Sequence, residues 1–273
     1  MITSYSQTNL RMPTNRRSYK PFSDLLTPAT ANRPKRLAVL LDPDHLTIAR
    51  CQEVLALSHR HEVDYFFIGG SLISNPDQAS LVGYLKQNSS IPVILFPSSG
   101  LYIDPQADGM LLLSLISGRN PDFLIGQHVA SAPLLKSSGL ALYPTGYMLI
   151  DSGRQTTASY MSGTTPIPHD KPSIAACTAL AGEMLGLQYI FLDGGSGAMY
   201  PVSAAMIQAV RQMVSVPILV GGGVNTPEKA EAAWKAGADV LVVGNHIEKA
   251  PQFIAEVSEV KLRFNVALPQ EQA

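Results

Sequence analysis

Eight short apolar runs, most of them closed on the C-terminal side by a turn containing Gly, Asp or Ser, constrain this chain more than any other feature. They span residues 37–42, 63–68, 91–96, 108–113, 145–150, 189–193, 216–220 and 239–243. Most show no alternation of apolar and polar side chains. That pattern belongs to parallel strands buried on both faces, since a half-exposed strand alternates. Helix-length stretches lie between them. Asp44 is expected to cap a helix over 46–59. Asn225-Thr226-Pro227-Glu228 reads as a cap with Pro in the first turn, opening a helix over 227–236 that stops at Gly237.

Alternating strands and helices close into a barrel or spread into an open doubly wound sheet. An open sheet carries its glycine-rich phosphate loop after the first strand. Here the first strand runs into Asp42-Pro43-Asp44, and the triple glycine Gly221-Gly222-Gly223 follows the seventh. The order predicts an α/β fold, a modified TIM (β/α)8 barrel, and 273 residues suit one such domain. One connection departs from the repeat. The eleven residues between Phe96 and Asp108 include Pro97, Gly100 and Pro105, too broken for a crossover helix. The third helix is therefore expected to be replaced by a short or extended segment, leaving a gap in the helical ring.

The barrel is expected over residues 35–262, with a C-terminal tail over 263–273. Residues 1–34 form the expected flexible extension. From Met1 to Arg36 a single acid, Asp24, faces Arg11, Arg16, Arg17, Lys20, Arg33, Lys35 and Arg36, in a Ser-, Thr-, Asn- and Pro-rich context that cannot bury enough apolar surface to order itself. A transit peptide and a partner-binding arm are the alternatives. A formal net charge of −1 argues against a general nucleic-acid binder. Cys51 and Cys177 offer neither a disulfide framework nor a zinc cluster and read as reduced thiols of a cytoplasmic protein. No apolar stretch approaches the ~20 residues of a membrane span, so the expectation is a chain without a transmembrane segment, for which work on a lipid at a membrane surface stays open.

The strongest chemical signal is the pair of loops Gly221-Gly222-Gly223-Val224-Asn225 and Gly244-Asn245. Adjacent glycines let backbone N–H groups approach an anion, and the following helix N-terminus adds partial positive charge. Barrels commonly hold phosphate after strands 7 and 8. The second signal is Phe191-Leu192-Asp193-Gly194-Gly195-Ser196-Gly197-Ala198. It puts a carboxylate at a strand end before a Gly/Ser loop, so that Asp193 can accept a hydroxyl proton or merely cap the loop. The third is Asp42 at the end of strand 1 with Ser71 after strand 2, a set of oxygen donors suited to Mg2+ when substrate phosphates complete the shell. The histidines, among them His45, His128, His169 and His246, have no metal-ligand spacing, and Trp234 reads as packing. Arg119 and Arg154 lie at strand ends, where diphosphate binding and plain solvation remain equal readings.

Together these motifs resemble the geranylgeranylglyceryl phosphate synthase family, which includes the bacterial PcrB-type enzymes. The resemblance runs from Leu37 to about Glu248 and also takes in Ser117-Gly118-Arg119-Asn120-Pro121-Asp122 and Gly146-Tyr147-Met148-Leu149-Ile150-Asp151. These middle motifs are similar to the branch found in archaea and some bacteria. The resemblance implies a barrel lacking its third helix and a Mg2+-dependent prenyltransferase. Such an enzyme joins sn-glycerol 1-phosphate to a polyprenyl diphosphate, geranylgeranyl in the archaeal branch, through an ether bond at the C3 hydroxyl, in ether phospholipid synthesis. Carried across, Asp42 and Ser71 hold the metal, and Asp193 takes the proton. Phe191, Leu192, Asp193, Gly194, Gly195, Ser196, Gly197, Gly222, Gly223, Gly244 and Asn245 bind glycerol 1-phosphate. Homo-oligomers are also implied.

Three positions depart from the family pattern. Phe191 stands for a tyrosine, Asp193 for a longer glutamate, and Leu40 for the lysine of the PcrB branch. The rival readings are another phosphate-barrel enzyme, such as a sugar-phosphate isomerase or epimerase, and a barrel that binds a phosphorylated ligand without catalysis.

Overall fold

The structure is a computed structural model that describes residues 33–70, 78–100 and 102–266. Its centre is a closed parallel barrel in which each strand pairs with the next and β8 returns to β1. The strands are β1 (Arg36–Leu41), β2 (Tyr65–Gly69), β3 (Val93–Phe96), β4 (Gly109–Leu115), β5 (Ala141–Leu149), β6 (Tyr189–Asp193), β7 (Ile218–Gly221) and β8 (Val240–Val243). All eight expected strands are present. The continuous apolar runs have a simple cause: successive side chains serve two cores. Tyr65, Phe67, Phe96, Tyr143, Tyr189 and Phe191 point into the barrel, while Phe66, Ile68, Leu95, Ile190 and Leu192 point out against the helices. Burying a large apolar side chain on either side contributes roughly 1.5–3 kcal/mol, so both faces favour apolar residues.

The ring of helices comprises α1 (Ile48–Arg60), α2 (Gln78–Asn88), α3 (Gln127–Ser138), α4 (Thr157–Ser162), α5 (Pro172–Met184), α6 (Ala204–Met213), α7 (Pro227–Ala236), α8 (Asn245–Lys249) and α9 (Phe253–Val266). Between β3 and β4 there is no helix among the described residues, as the prolines demand. The chain runs past Gly100, whose N–H donates to Gln127 Oε1 at 3.1 Å, and turns back at Asp104, whose Oδ1 accepts from Gln106 N. Before α3 the chain winds a π-helical turn over Asp122–Gly126. The cap of α7 is the expected one: the Thr226 side chain accepts from Lys229 N and Gly237 closes the helix with φ +119°. For α1 the cap is Thr47, which accepts from Arg50 N, and not Asp44; the Asp44 N–H instead donates to Asp42 Oδ1 at 3.0 Å, keeping the chain in a turn. Two boundaries also shift. Arg33 belongs to the barrel rather than to an extension, because it is 8% exposed and donates to Ser215 O, and α9 continues past residue 262 to Val266. Residues 1–32 and 267–273 lie outside the described residues.

The end of the barrel opposite the glycine loops is fastened by a repeated device. An aspartate just before a strand accepts the free N–H of the preceding strand and pairs with a base. Asp64 takes Leu37 N with Arg36 and Lys261, Asp108 takes Val93 N with Lys86, and Asp239 takes Ile218 N with Arg211. These pairs leave the other end of the barrel for chemistry.

Candidate active site

At the C-terminal ends of the strands a cavity of about 210 Å³ is lined by Asp42, Phe191, Asp193, Gly195, Ser196, Gly197, Gly222, Gly223, Gly244, Asn245 and Glu248, among others. Its floor is a cup made of backbone. Gly222 and Gly223 have φ of +82° and +73°, a region closed to most side chains. The packing is as restrictive as the dihedrals: a Cβ on Gly222 would stand 2.7 Å from Gly195 N and 2.8 Å from Gly194 Cα. The loops after β6 and β7 thus touch main chain to main chain, and Gly194 N donates to Gly221 O at 3.0 Å. Asn245, at the start of α8, donates from Nδ2 to Ser196 Oγ at 2.8 Å and joins the third loop to the first. The result is a small polar bowl suited to a phosphate.

Asp193 stands at the side of the bowl, 8% exposed. Each of its oxygens holds one donor: Oδ1 accepts from Gly195 N at 2.7 Å and Oδ2 from the Tyr147 hydroxyl at 2.6 Å. Burial raises the carboxyl above the ordinary aspartate range, and the two donors, which favour the ionised form, only partly offset that rise. Burial, and then the Asp193 charge, push the Tyr147 phenol well up, so Tyr147 remains a neutral donor at physiological pH. Tyr147 stands on β5 directly opposite Phe191. Phe96, Tyr147 and Phe191 form an aromatic triangle with centroids 5.5–5.9 Å apart.

On the opposite side Asp42 is half-buried and accepts from Asp44 N, while its own N–H donates to Glu248 Oε1 at 3.2 Å. Burial raises both the Asp42 and the Glu248 carboxyls. Gly70 leaves the space in front of Asp42 open, since a Cβ there would lie 2.5 Å from Oδ2. Among the described residues no group of three or more His, Cys, Asp or Glu side chains could hold an ion by itself. A hard cation at Asp42 would take most of its oxygens from a ligand and water, which is the habit of Mg2+. Ser71, its expected partner, lies outside the described residues.

A second cavity, of about 300 Å³, continues from the first across Gly70 and Phe96. It is lined by Leu111, Leu113, Leu115, Leu149, Phe123, Ala158 and Met161, and it occupies the place of the missing third helix. Tyr147 lines it with its ring while its hydroxyl reaches Asp193.

Most of the sequence-predicted residues meet at the first cavity. Leu192 and Gly194 do not line it: Leu192 packs outward with the helix layer, as β6 alternation requires, and Gly194 lies behind the bowl. Leu40 lines the wall, where it brings no charge. Arg119 donates to Gly118 O and Ile116 O, away from the cavity. His246 stacks edge-on against Phe253 at 4.7 Å while also lining the cavity, and Trp234 is buried against Phe264 as a packing residue. Tyr147 and Glu248 are functional candidates that single-residue reading missed. Tyr147 lay inside a quoted motif, but its register opposite Phe191 becomes visible only with the β5–β6 pairing.

Comparison with known proteins agrees with this geometry. The PcrB family model matches residues 31–261. The chain is 56% identical to a geranylgeranylglyceryl phosphate synthase of Spirosoma linguale, over 86% of this chain and 95% of that one. It is 41% identical to the synthase of Thermococcus kodakarensis, over 80% and 86%. Among solved structures it is similar to (S)-3-O-geranylgeranylglyceryl phosphate synthase of Thermoplasma acidophilum in complex with sn-glycerol-1-phosphate, with TM-score 0.77 and 28% identity over 86% of this chain and 93% of that one. The barrel, the phosphate bowl and these relatives lead to one assignment: the chain belongs to the PcrB family.

Proposed function

We propose that this chain transfers a polyprenyl group, geranylgeranyl by its relatives' names, from its diphosphate to the C3 hydroxyl of sn-glycerol 1-phosphate. The observation that carries this reading is the junction of a polar and an apolar cavity at Gly70 and Phe96, with Asp193 and Tyr147 beside it. The bowl takes the acceptor's phosphate through backbone N–H groups, and the trough takes the isoprenoid chain. The bond between the allylic carbon and the diphosphate oxygen breaks, the ether C–O bond forms, and the hydroxyl proton passes to Asp193. A buried carboxylate with a raised affinity for protons suits that acceptance. The electron-rich faces of Phe96, Tyr147 and Phe191 suit an allylic carbon that becomes cation-like.

Mg2+ belongs to the same reading, with Asp42 and Ser71 as its protein ligands, and when bound it neutralises charge on the departing diphosphate. A sugar-phosphate isomerase has no use for the apolar trough. No helix among the described residues is long and apolar enough to cross a membrane. A cytoplasmic setting is part of the proposal. So is homo-oligomer formation, which the apolar Ile174, Met184 and Leu185 exposed along and just after α5 favour. The test is incubation with labelled glycerol 1-phosphate, geranylgeranyl diphosphate and Mg2+, followed by organic extraction. Label in the lipid phase is expected, and its absence across donor lengths overturns the proposal.

A further inference from the structure

Arg154 stands in the loop between β5 and α4, and that loop is tied to the phosphate bowl. Met199 N and Tyr200 N both donate to Ser152 O at 3.1 Å, and the Thr156 side chain occupies the space a Cβ on Gly195 would need. The tie holds the exposed Arg154 guanidinium beside the loop at the rim of the bowl: a side chain on Gly197 would collide with its Nη2. Among the described residues this guanidinium has no hydrogen-bond or ion-pair partner, unlike Arg119, whose donors are spent on carbonyls. A charged fork beside a glycine loop suited to an anion, and engaged with no other described residue, is free to take one.

The charge balance of the cavity gives it a task. Asp42, Asp193 and Glu248 line the walls against Lys249, and Leu40 brings no charge. A phosphate monoester adds about −1.5 to −2 more. The N-terminus of a helix offers only about half an elementary charge against that. We infer that Arg154 binds the acceptor's phosphate directly, closing over the rim of the bowl with two N–H donors on two phosphate oxygens. The inference rests on the reading of the bowl as a phosphate-monoester site, and it assigns to the β5–α4 loop a part in acceptor selection.

The experiment measures inorganic phosphate binding to the full chain by calorimetry, in wild type, Arg154→Ala and Arg154→Lys. Steady-state kinetics with glycerol 1-phosphate and geranylgeranyl diphosphate accompany it. Loss of the fork should weaken phosphate binding about tenfold, the size of one charge-assisted hydrogen bond. Arg154→Lys should recover part of the loss, because it restores charge without the fork. KM for glycerol 1-phosphate should rise more than kcat falls, and more than KM for the prenyl diphosphate. Unchanged phosphate affinity in Arg154→Ala overturns the inference, as does a KM effect confined to the prenyl diphosphate. A wild-type chain that binds phosphate through Arg154 but makes no lipid supports the assignment and sinks the prenyl-transfer reading alone.

Discussion

On the β6–β8 side of the barrel mouth, the cavity is built from main chain: glycines with positive φ, loops touching backbone to backbone, and an Asn–Ser hydrogen bond. On the β3–β5 side it is built from side chains around an omission, the helix that Pro97 and Pro105 prevent. The difference matches the proposed ligands. A phosphate is small, fixed in shape and demanding of donors, so it favours a rigid bowl. An isoprenoid chain asks only for dry length, which aliphatic side chains provide without fixed geometry. Tyr147 belongs to both halves, with its ring in the trough and its hydroxyl on Asp193.

Substitutions can break that comparison or sharpen it. The largest effect is expected at the junction, where Asp193→Asn should lower kcat by about a hundred- to ten-thousand-fold while phosphate binding by calorimetry persists. Near-normal turnover would remove the carboxylate as the base. Gly222→Ala comes next. Strain of roughly 1–3 kcal/mol in a left-handed position, added to the collision with Gly194 and Gly195, should weaken glycerol 1-phosphate binding about tenfold or more. Its KM for the prenyl donor is the control for the other half. Asp42→Ala should raise the Mg2+ concentration needed for half-maximal activity and leave the acceptor's KM nearly alone; an unchanged metal titration would detach Asp42 from the metal. Ala158→Phe narrows the trough and should raise KM for long donors more than for short ones, read from the mass of the extracted lipids. An equal effect on all lengths would mean that the tail lies elsewhere.

The smallest expected effect is the most specific. The Tyr147 hydrogen bond favours ionised Asp193, so Tyr147→Phe should raise the Asp193 pKa further. Because the base must be ionised, the acid limb of the kcat profile should then move to higher pH. A limb that stays in place would mean that Asp193 does not set it.

Much of this was readable from residue order alone. Strands buried on both faces announce themselves as unbroken apolar runs, and prolines forbid a helix wherever they fall, so the eight strands and the missing helix were legible. The bowl was legible because glycine pairs have few other uses after strands 7 and 8. What escaped depended on pairing across the barrel. Whether Leu192 faces inward or outward is a matter of register. The partnership of Tyr147 with Asp193 needs two strands side by side, and Arg154 was separated from Arg119 only when one guanidinium was found on carbonyls and the other over Gly197. The cap of α1 failed for a local reason: Asp42 captured the Asp44 N–H and carried the turn further, to Thr47.

The contact of Gly222 with Gly194 and Gly195 has a consequence for how such a sequence can change. The loop after β6 fills the space into which side chains on Gly222 and Gly223 would grow, so a substitution after β7 is felt by both loops. On the proposed reading, the β7 side of head-group recognition changes only together with the loop after β6. The trough walls are mostly side chains, and on the proposed reading single replacements along them would lengthen or shorten it. On the proposed reading, point mutation can explore the donor one residue at a time, while the acceptor stays nearly fixed.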